Sequence, residues 1–216
     1  DNSLLYGNNY IKEQGTAESI PAENIITDAW TGVSLDKESR KVNPIVTDSI
    51  QHYFIHKIID EFDIVYDDDG PGEIADIIGI KDTEELIDIH LYHLKFAKNG
   101  QVSNDIDNLY QVCGQAQKSV SWKYKSSKDL FNHLMQRKTK KLGDETCSRI
   151  VKGSEEQLEK LMTAAKWKKE VKFHIYIVQP SISKENASQQ ILQLLGSTYH
   201  SIFSIANIEL KVYSSN

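Results

Sequence analysis

Cysteine is scarce in this chain, with two residues in 216, Cys113 and Cys147. Two thiols build no disulfide framework, and their separation matches no zinc spacing, so a reducing, cytosolic setting is the expectation. Long apolar runs are missing as well. No stretch of about 18 apolar residues occurs, and the mean hydropathy of −0.46 argues against a membrane protein. The opening Asp1-Asn2-Ser3-Leu4 has neither an initiator methionine nor the basic-then-apolar pattern of a secretory signal. The chain is therefore expected to be a piece of a longer protein. Internal repeats and low-complexity tracts are absent too. What is present is a globular composition, 39% hydrophobic and 26% charged, enough for one sizeable domain or one with a small appendage.

Basic residues are nearly missing from one third of the chain. Residues 60–90 carry twelve acids against Lys81 alone, whereas residues 118–141 carry eight bases against Asp129 alone. The net charge of −6 thus hides a strong segregation. Such a pattern fits two solvated faces that neutralise one another, or a metal site beside a polyanion track.

Residues 1–44 read as an N-terminal arm or linker and 45–216 as the folded domain. Ser49 and its neighbours suit a helix N-cap, and Ile50, Phe54 and Ile58 recur at helical spacing, a stripe that should bury against a sheet. The period then shortens. Asp63–Tyr66, Glu73–Ile80 and Leu86–Phe96 are three expected strands, the first two separated by the turn residues Asp69-Gly70-Pro71-Gly72. Short connections suggest an antiparallel meander. Helices are expected from Asn104 or Asp105 to about Tyr124, over Lys128–Lys140 and over Ser154–Lys168. A strand over 171–178 ended by Pro180, a helix over Asn186–His200 and a last strand over Ile208–Tyr213 complete an α-β-β-β-α-α-α-β-α-β order. That order implies an α/β domain with a central mixed sheet flanked by helices.

The chemistry-bearing residues concentrate in the meander. His93 and Lys95 are two apart on one strand and so share a face, and the hairpin brings Asp76 near them. A carboxylate, a second ligating group and a lysine at one sheet edge suit a hard divalent cation acting on a phosphate. Gln111, Gln115, Lys118 and Trp122 line the polar face of the following helix. Asp67 and Asp68 read as solvated turn carboxylates, one of them within reach of a second metal. His52 and His56 read as structural, and Cys113 as core. An EF-hand loop through Asp67, Asp69 and Gly70 is disfavoured, because Val65 stands where an acid belongs and Pro71 follows the glycine.

Helix, three-stranded meander with an internal Asp, an X-x-Lys on the third strand, then helix and strand resembles the PD-(D/E)XK nuclease superfamily. Within it, Gly70-Pro-Gly-Glu-Ile-Ala-Asp76, Leu91-Tyr-His-Leu-Lys95 and Val112-Cys-Gly-Gln-Ala-Gln-Lys118 are similar to the C-terminal nuclease regions of bacterial helicase-type antiphage defence proteins. The resemblance covers roughly residues 45–215 and implies a restriction-endonuclease-like core. It also implies a metal-dependent endonuclease acting on DNA, expected to be double-stranded, with Mg²⁺ or Mn²⁺ held by Asp76 together with Glu73 or His93. Lys95 would position or activate water, and Gln115 with Lys118 would complete the pocket. His93 stands where the family has Asp or Glu, and an imidazole ligand would favour softer ions than Mg²⁺. The phosphate track would run over Lys118, Trp122, Lys123, Lys125, Arg137, Lys138, Lys140 and Lys141. Expected partners are DNA and a helicase or ATPase module in the same or a partner chain, with room for a homodimer and no membrane. The alternative is a catalytically degenerate nuclease fold that binds nucleic acid or serves assembly.

Overall fold

The computed structural model describes residues 19–142 and 145–216, together with the backbone of two short antiparallel strands, β1 (Leu4–Tyr6) and β2 (Asn9–Ile11). The rest of the expected arm before residue 19 lies outside the described residues. In chain order the other elements are β3 (Ile25–Asp28), α1 (Ile50–Ile58), β4 (Ile64–Asp67), β5 (Ile77–Asp82), β6 (Leu86–Leu94) and α2 (Asp107–Ser119). They continue with α3 (Ser127–Gln136), β7 (Thr139–Leu142), β8 (Glu145–Ser148), β9 (Ile150–Lys152), α4 (Glu155–Trp167), β10 (Glu170–Ser183), α5 (Gln189–Ala206) and β11 (Leu210–Ser215). Seven strands form one mixed sheet in the order β3-β11-β10-β6-β5-β4-β9.

The meander is present: β4 pairs antiparallel with β5, and β5 with β6. Beyond it the sheet becomes parallel, β6 with β10, β10 with β11 and β11 with β3. Strand alternation sends Ile78, Ile80, Ile89 and Leu91 into a large core with residues of α2, α3, α4 and α5. Ile77 and Tyr92 point the other way, onto Ile50, Phe54 and Ile58 of α1. Ser49 caps α1 by accepting the His52 amide, so the expected stripe starts where its cap predicts. The result is a mixed sheet between helical layers.

Several elements depart from expectation. Part of the expected arm belongs to the sheet: β3 pairs with β11, and buried Trp30 donates its Nε1–H to the Ser214 carbonyl at 3.1 Å. A four-residue strand flanked by loops carries too little periodicity to stand out in sequence. The expected helix over Lys128–Lys140 stops at Gln136, and Thr139–Leu142 turns into the β7–β8 hairpin. Arg137 stands at the C-cap, and its guanidinium is drawn inward to Asp68 at 2.6 Å. The expected strand over 171–178 runs on through Pro180. Its pairing with β6 ends at Val178, and its register with β11 shifts beyond that residue, so the missing proline N–H breaks no ladder there. Finally, β5 begins at Ile77, which leaves Glu73–Asp76 in the irregular approach to the strand.

Candidate metal centre

The loop between β4 and β5 is an acidic run folded inward by distant arginines. Asp67 accepts from Arg40 Nε at 2.7 Å and from Gln51 Nε2 at 3.0 Å. Asp68 accepts from Arg137 Nε at 2.6 Å and from the Ile74 amide at 2.7 Å. Arg149 donates to the Asp67 and Asp69 carbonyls, both at 3.0 Å. Asp67 and Asp68 are therefore buried, which corrects the expectation of solvated turn carboxylates. Isolated carboxylates stay at the surface, but three guanidiniums supply the charge and the donors that burial requires. Gly70 and Gly72 take φ values of +122° and +85°, which lets the loop double back over itself.

This folding delivers Asp69, Glu73 and Asp76 to one place, with ligand oxygens within 4.8 Å of one another. Glu73 lies outside β5, in the irregular approach to it, so strand alternation does not set its side relative to Asp76. One Asp76 oxygen accepts the Leu94 amide at 2.8 Å, which ties it to the end of β6. Asp69 accepts from Ser39 Oγ at 2.6 Å. Glu73 accepts the Gly70 amide at 2.7 Å and Gln115 Nε2 at 3.1 Å. These carboxylates, Glu38, His93, Lys95, Gln115 and Lys118 line one cavity of about 410 Å³.

Electrostatically the cavity holds more anions than its own cations balance. Burial, then repulsion from Glu73, pushes the Asp76 carboxyl well above its ordinary range, against the pull of the Leu94 amide. Burial also raises Glu73, with Asp69, Asp68 and Glu38 adding repulsion. Lys95 Nζ is held by Glu38, with oxygens at 3.1 and 3.3 Å, and Glu38 also accepts the Phe96 amide at 2.9 Å. Among the described residues, Gln115 Oε1 and His93 Nε2 are buried without a hydrogen-bond partner. A hard cation would relieve the repulsion, and three carboxylates are the donor set that Mg²⁺ or Mn²⁺ takes.

Asp76, Glu73, Lys95, Gln115, Lys118 and His93 thus share the cavity expected of them. Asp69 and Glu38 were not anticipated. Asp69 hid among three consecutive aspartates, and Glu38 lies in a loop without periodicity. His93 is 1% exposed and is not one of the three converging ligand groups. It shares the Lys95 face as strand alternation requires, but sits as a neutral ring at the floor of the cavity.

Burial pushes the His93 imidazole down to about 3. Below its unfolded value of about 6.5 the unfolded chain binds a proton that the folded chain refuses, so stability falls as pH drops from there towards 3. The cost is about 1.4 kcal/mol per pH unit, or about 2 kcal/mol between pH 6.5 and 5. His90, also pushed down to about 3 by burial, adds a similar slope, whereas the raised carboxyls of Asp76 and Glu73 act in the opposite direction. Urea unfolding of wild type and His93→Asn across that range should differ in slope by about one histidine, and equal slopes would contradict the assignment.

The expected phosphate track is mostly committed elsewhere. Arg137 bonds Asp68, and it also donates to the Pro71 carbonyl at 2.6 Å. Lys138 pairs with Glu155 at 2.5 Å, and Lys140 donates to the Asp69 carbonyl at 3.0 Å. Lys123 Nζ donates to the Ala206 carbonyl. Trp122 is half-buried against His133, and Lys125 Nζ sits 3.7 Å over its ring, so its face is not a free stacking platform. Lys118, Lys125, Lys128 and Lys141 are exposed. Cys113 is core as expected, with its thiol pushed up to about 12 by burial. No helix among the described residues is long and apolar enough to cross a membrane.

Compared with protein-family models, curated proteins and solved structures, the chain has no match.

Proposed function

We propose that this chain is a divalent-metal-dependent nuclease domain that hydrolyses DNA phosphodiester bonds, with a restriction-endonuclease-like core. The observation that carries the reading is the convergence of Asp69, Glu73 and Asp76 in a cavity that also receives Lys95 and Gln115. The resemblance of the Gly70–Asp76, Leu91–Lys95 and Val112–Lys118 segments to PD-(D/E)XK nucleases supplies the substrate class. The helicase or ATPase partner and the place in a larger defence protein rest on the same resemblance.

Asp69, Glu73 and Asp76 would hold Mg²⁺ or Mn²⁺. Such a cation supplies Lewis-acid polarisation of a phosphoryl oxygen and acidifies water. Lys95, aimed by its ion pair with Glu38, stabilises negative charge that develops on the phosphate. Gln115 is steered by its bond to Glu73 and leaves Oε1 to accept a hydrogen bond from the attacking water, which orients it. His93 lines the cavity as a buried, neutral ring. Lys118, at the rim, meets the DNA backbone.

Supercoiled plasmid incubated with Mg²⁺, with Mn²⁺ or with EDTA tests the reading. Nicking or linearisation with either metal and none in EDTA is expected. Binding of DNA without cleavage in any metal would instead favour the degenerate, binding-only fold, to which the His93 substitution points.

Binding should weaken with salt despite the acidic net charge. With two to four phosphates neutralised, affinity falls roughly ten- to 150-fold from 50 to 200 mM salt. Lys118→Ala should flatten the log–log slope by about one, while Lys138→Ala, whose ammonium already pairs with Glu155, should leave it nearly unchanged. Equal effects from both would overturn this division of the basic stretch.

A further inference from the structure

A second group of ligating side chains lies on the other face of the sheet. Asp88 and His90 alternate with His93 and Lys95 along β6, so they project away from the acidic cavity. His174 of β10 stands directly opposite His90 in the parallel register. The two imidazoles stack with centroids 4.3 Å apart, and His174 Nε2 meets Asp88 Oδ1 at 2.8 Å. Ligand atoms of Asp88, His90 and His174 all lie within 4.8 Å of one another, and all three residues are partly exposed.

We propose that Asp88, His90 and His174 form a binding site for a divalent transition-metal ion of the Zn²⁺ type, separate from the nuclease centre. Two imidazoles and one carboxylate select such ions over Mg²⁺, which prefers all-oxygen sets. At ordinary zinc–nitrogen and zinc–oxygen lengths, tetrahedral ligand atoms sit about 3.4 Å apart. The Asp88–His174 contact therefore opens by roughly half an ångström, and the stacked rings already bring both imidazoles to one side. With the cation on Nε2, the His174 ring carries its single proton on Nδ1.

The surroundings of His90 match what a ligating histidine needs. Its Nδ1 lies 3.0 Å from the Tyr176 hydroxyl; in the tautomer protonated at Nδ1 that hydroxyl accepts the N–H, which leaves Nε2 for the metal. Phe62, Tyr92 and Tyr176 pack around the ring and fix its plane. Phe62 reaches that position because Gly79 lies beneath it, where an added Cβ would stand 2.7 Å from the ring. Three protein ligands leave a fourth position open to water or to an anionic ligand. Lys81 faces Asp88 across the β5–β6 register, and Lys211 faces Tyr176 from β11, so two cations flank that opening.

The test is titration of metal-free protein with Co²⁺, followed by visible absorption, and competition with Zn²⁺. Wild type and Asp76→Asn should each show one equivalent of tetrahedral Co²⁺ displaced by Zn²⁺, which separates this site from the acidic cavity. His90→Gln and His174→Gln should lose the tetrahedral spectrum while keeping wild-type circular dichroism. Tyr176→Phe, which leaves every ligand in place, should bind about 10–100-fold more weakly. No tetrahedral spectrum in the wild type would overturn the proposal, as would a spectrum unchanged in both histidine variants. Loss in Asp76→Asn alone would assign the ion to the nuclease centre instead.

Discussion

Asp76→Asn should abolish metal-dependent plasmid cleavage, by about 10³-fold or more, and at the same time raise the melting temperature of the metal-free protein. The two effects share one cause. Asp76 is 4% exposed and surrounded by Glu73, Asp69 and Glu38, so its ionised form is held at a cost that a bound cation offsets. Removing the charge takes away a ligand of the proposed cation, a loss worth several kcal/mol to the transition state. Asparagine keeps a side-chain oxygen for the Leu94 amide, so the end of β6 stays anchored. The repulsion disappears, and a gain of about 1 kcal/mol raises the midpoint by roughly 2–4 °C for a chain of this size. Cleavage assays paired with thermal unfolding in EDTA check both halves. A variant that is inactive but less stable would indicate a structural role for Asp76, and an active one would remove it from the site.

Arg137→Ala should strongly destabilise the domain rather than weaken its hold on DNA. The guanidinium bonds a carboxylate with no exposed side-chain surface, Asp68, and also donates to the Asp68 and Pro71 carbonyls. Deleting it strands a buried charge, and breaking such a pair costs about 3 kcal/mol or more. The Asp68 carboxyl, already raised by burial, loses the guanidinium that pulls it back. Double replacement, Arg137→Met with Asp68→Asn, should recover part of the loss, because no charge is then left unpaired. Urea unfolding of the single and double variants measures this. A single variant of wild-type stability with a reduced salt slope for DNA would return Arg137 to the phosphate track.

Arg137 also illustrates where sequence stops being informative. Local signals carried far: the Ser49 cap, the three-strand meander and the shared face of His93 and Lys95 follow from side-chain chemistry and strand alternation. The placement of Asp76, Lys95 and Gln115 about one cavity came with the motif order. Burial of Asp67 and Asp68 was not legible, because it depends on Arg40, Arg137 and Arg149, which lie 27 to 82 residues away in sequence. The same holds for Glu38, which reaches Lys95 across 57 residues. Composition and charge runs describe how many ions a segment carries, while pairing decides which of them remain free. That is why a stretch rich in lysine and arginine turned out to hold the acidic loop in place as much as to present charge outward. His93 is a similar case: alternation gives its face, but not its near-complete burial in the folded chain.

The most direct measurement is Mn²⁺ binding followed by electron paramagnetic resonance in wild type, Asp76→Asn and His90→Gln. Wild type and His90→Gln should each take up one ion, and Asp76→Asn should leave Mn²⁺ free in solution. Equal uptake by wild type and Asp76→Asn would contradict a cation centre built on Asp69, Glu73 and Asp76.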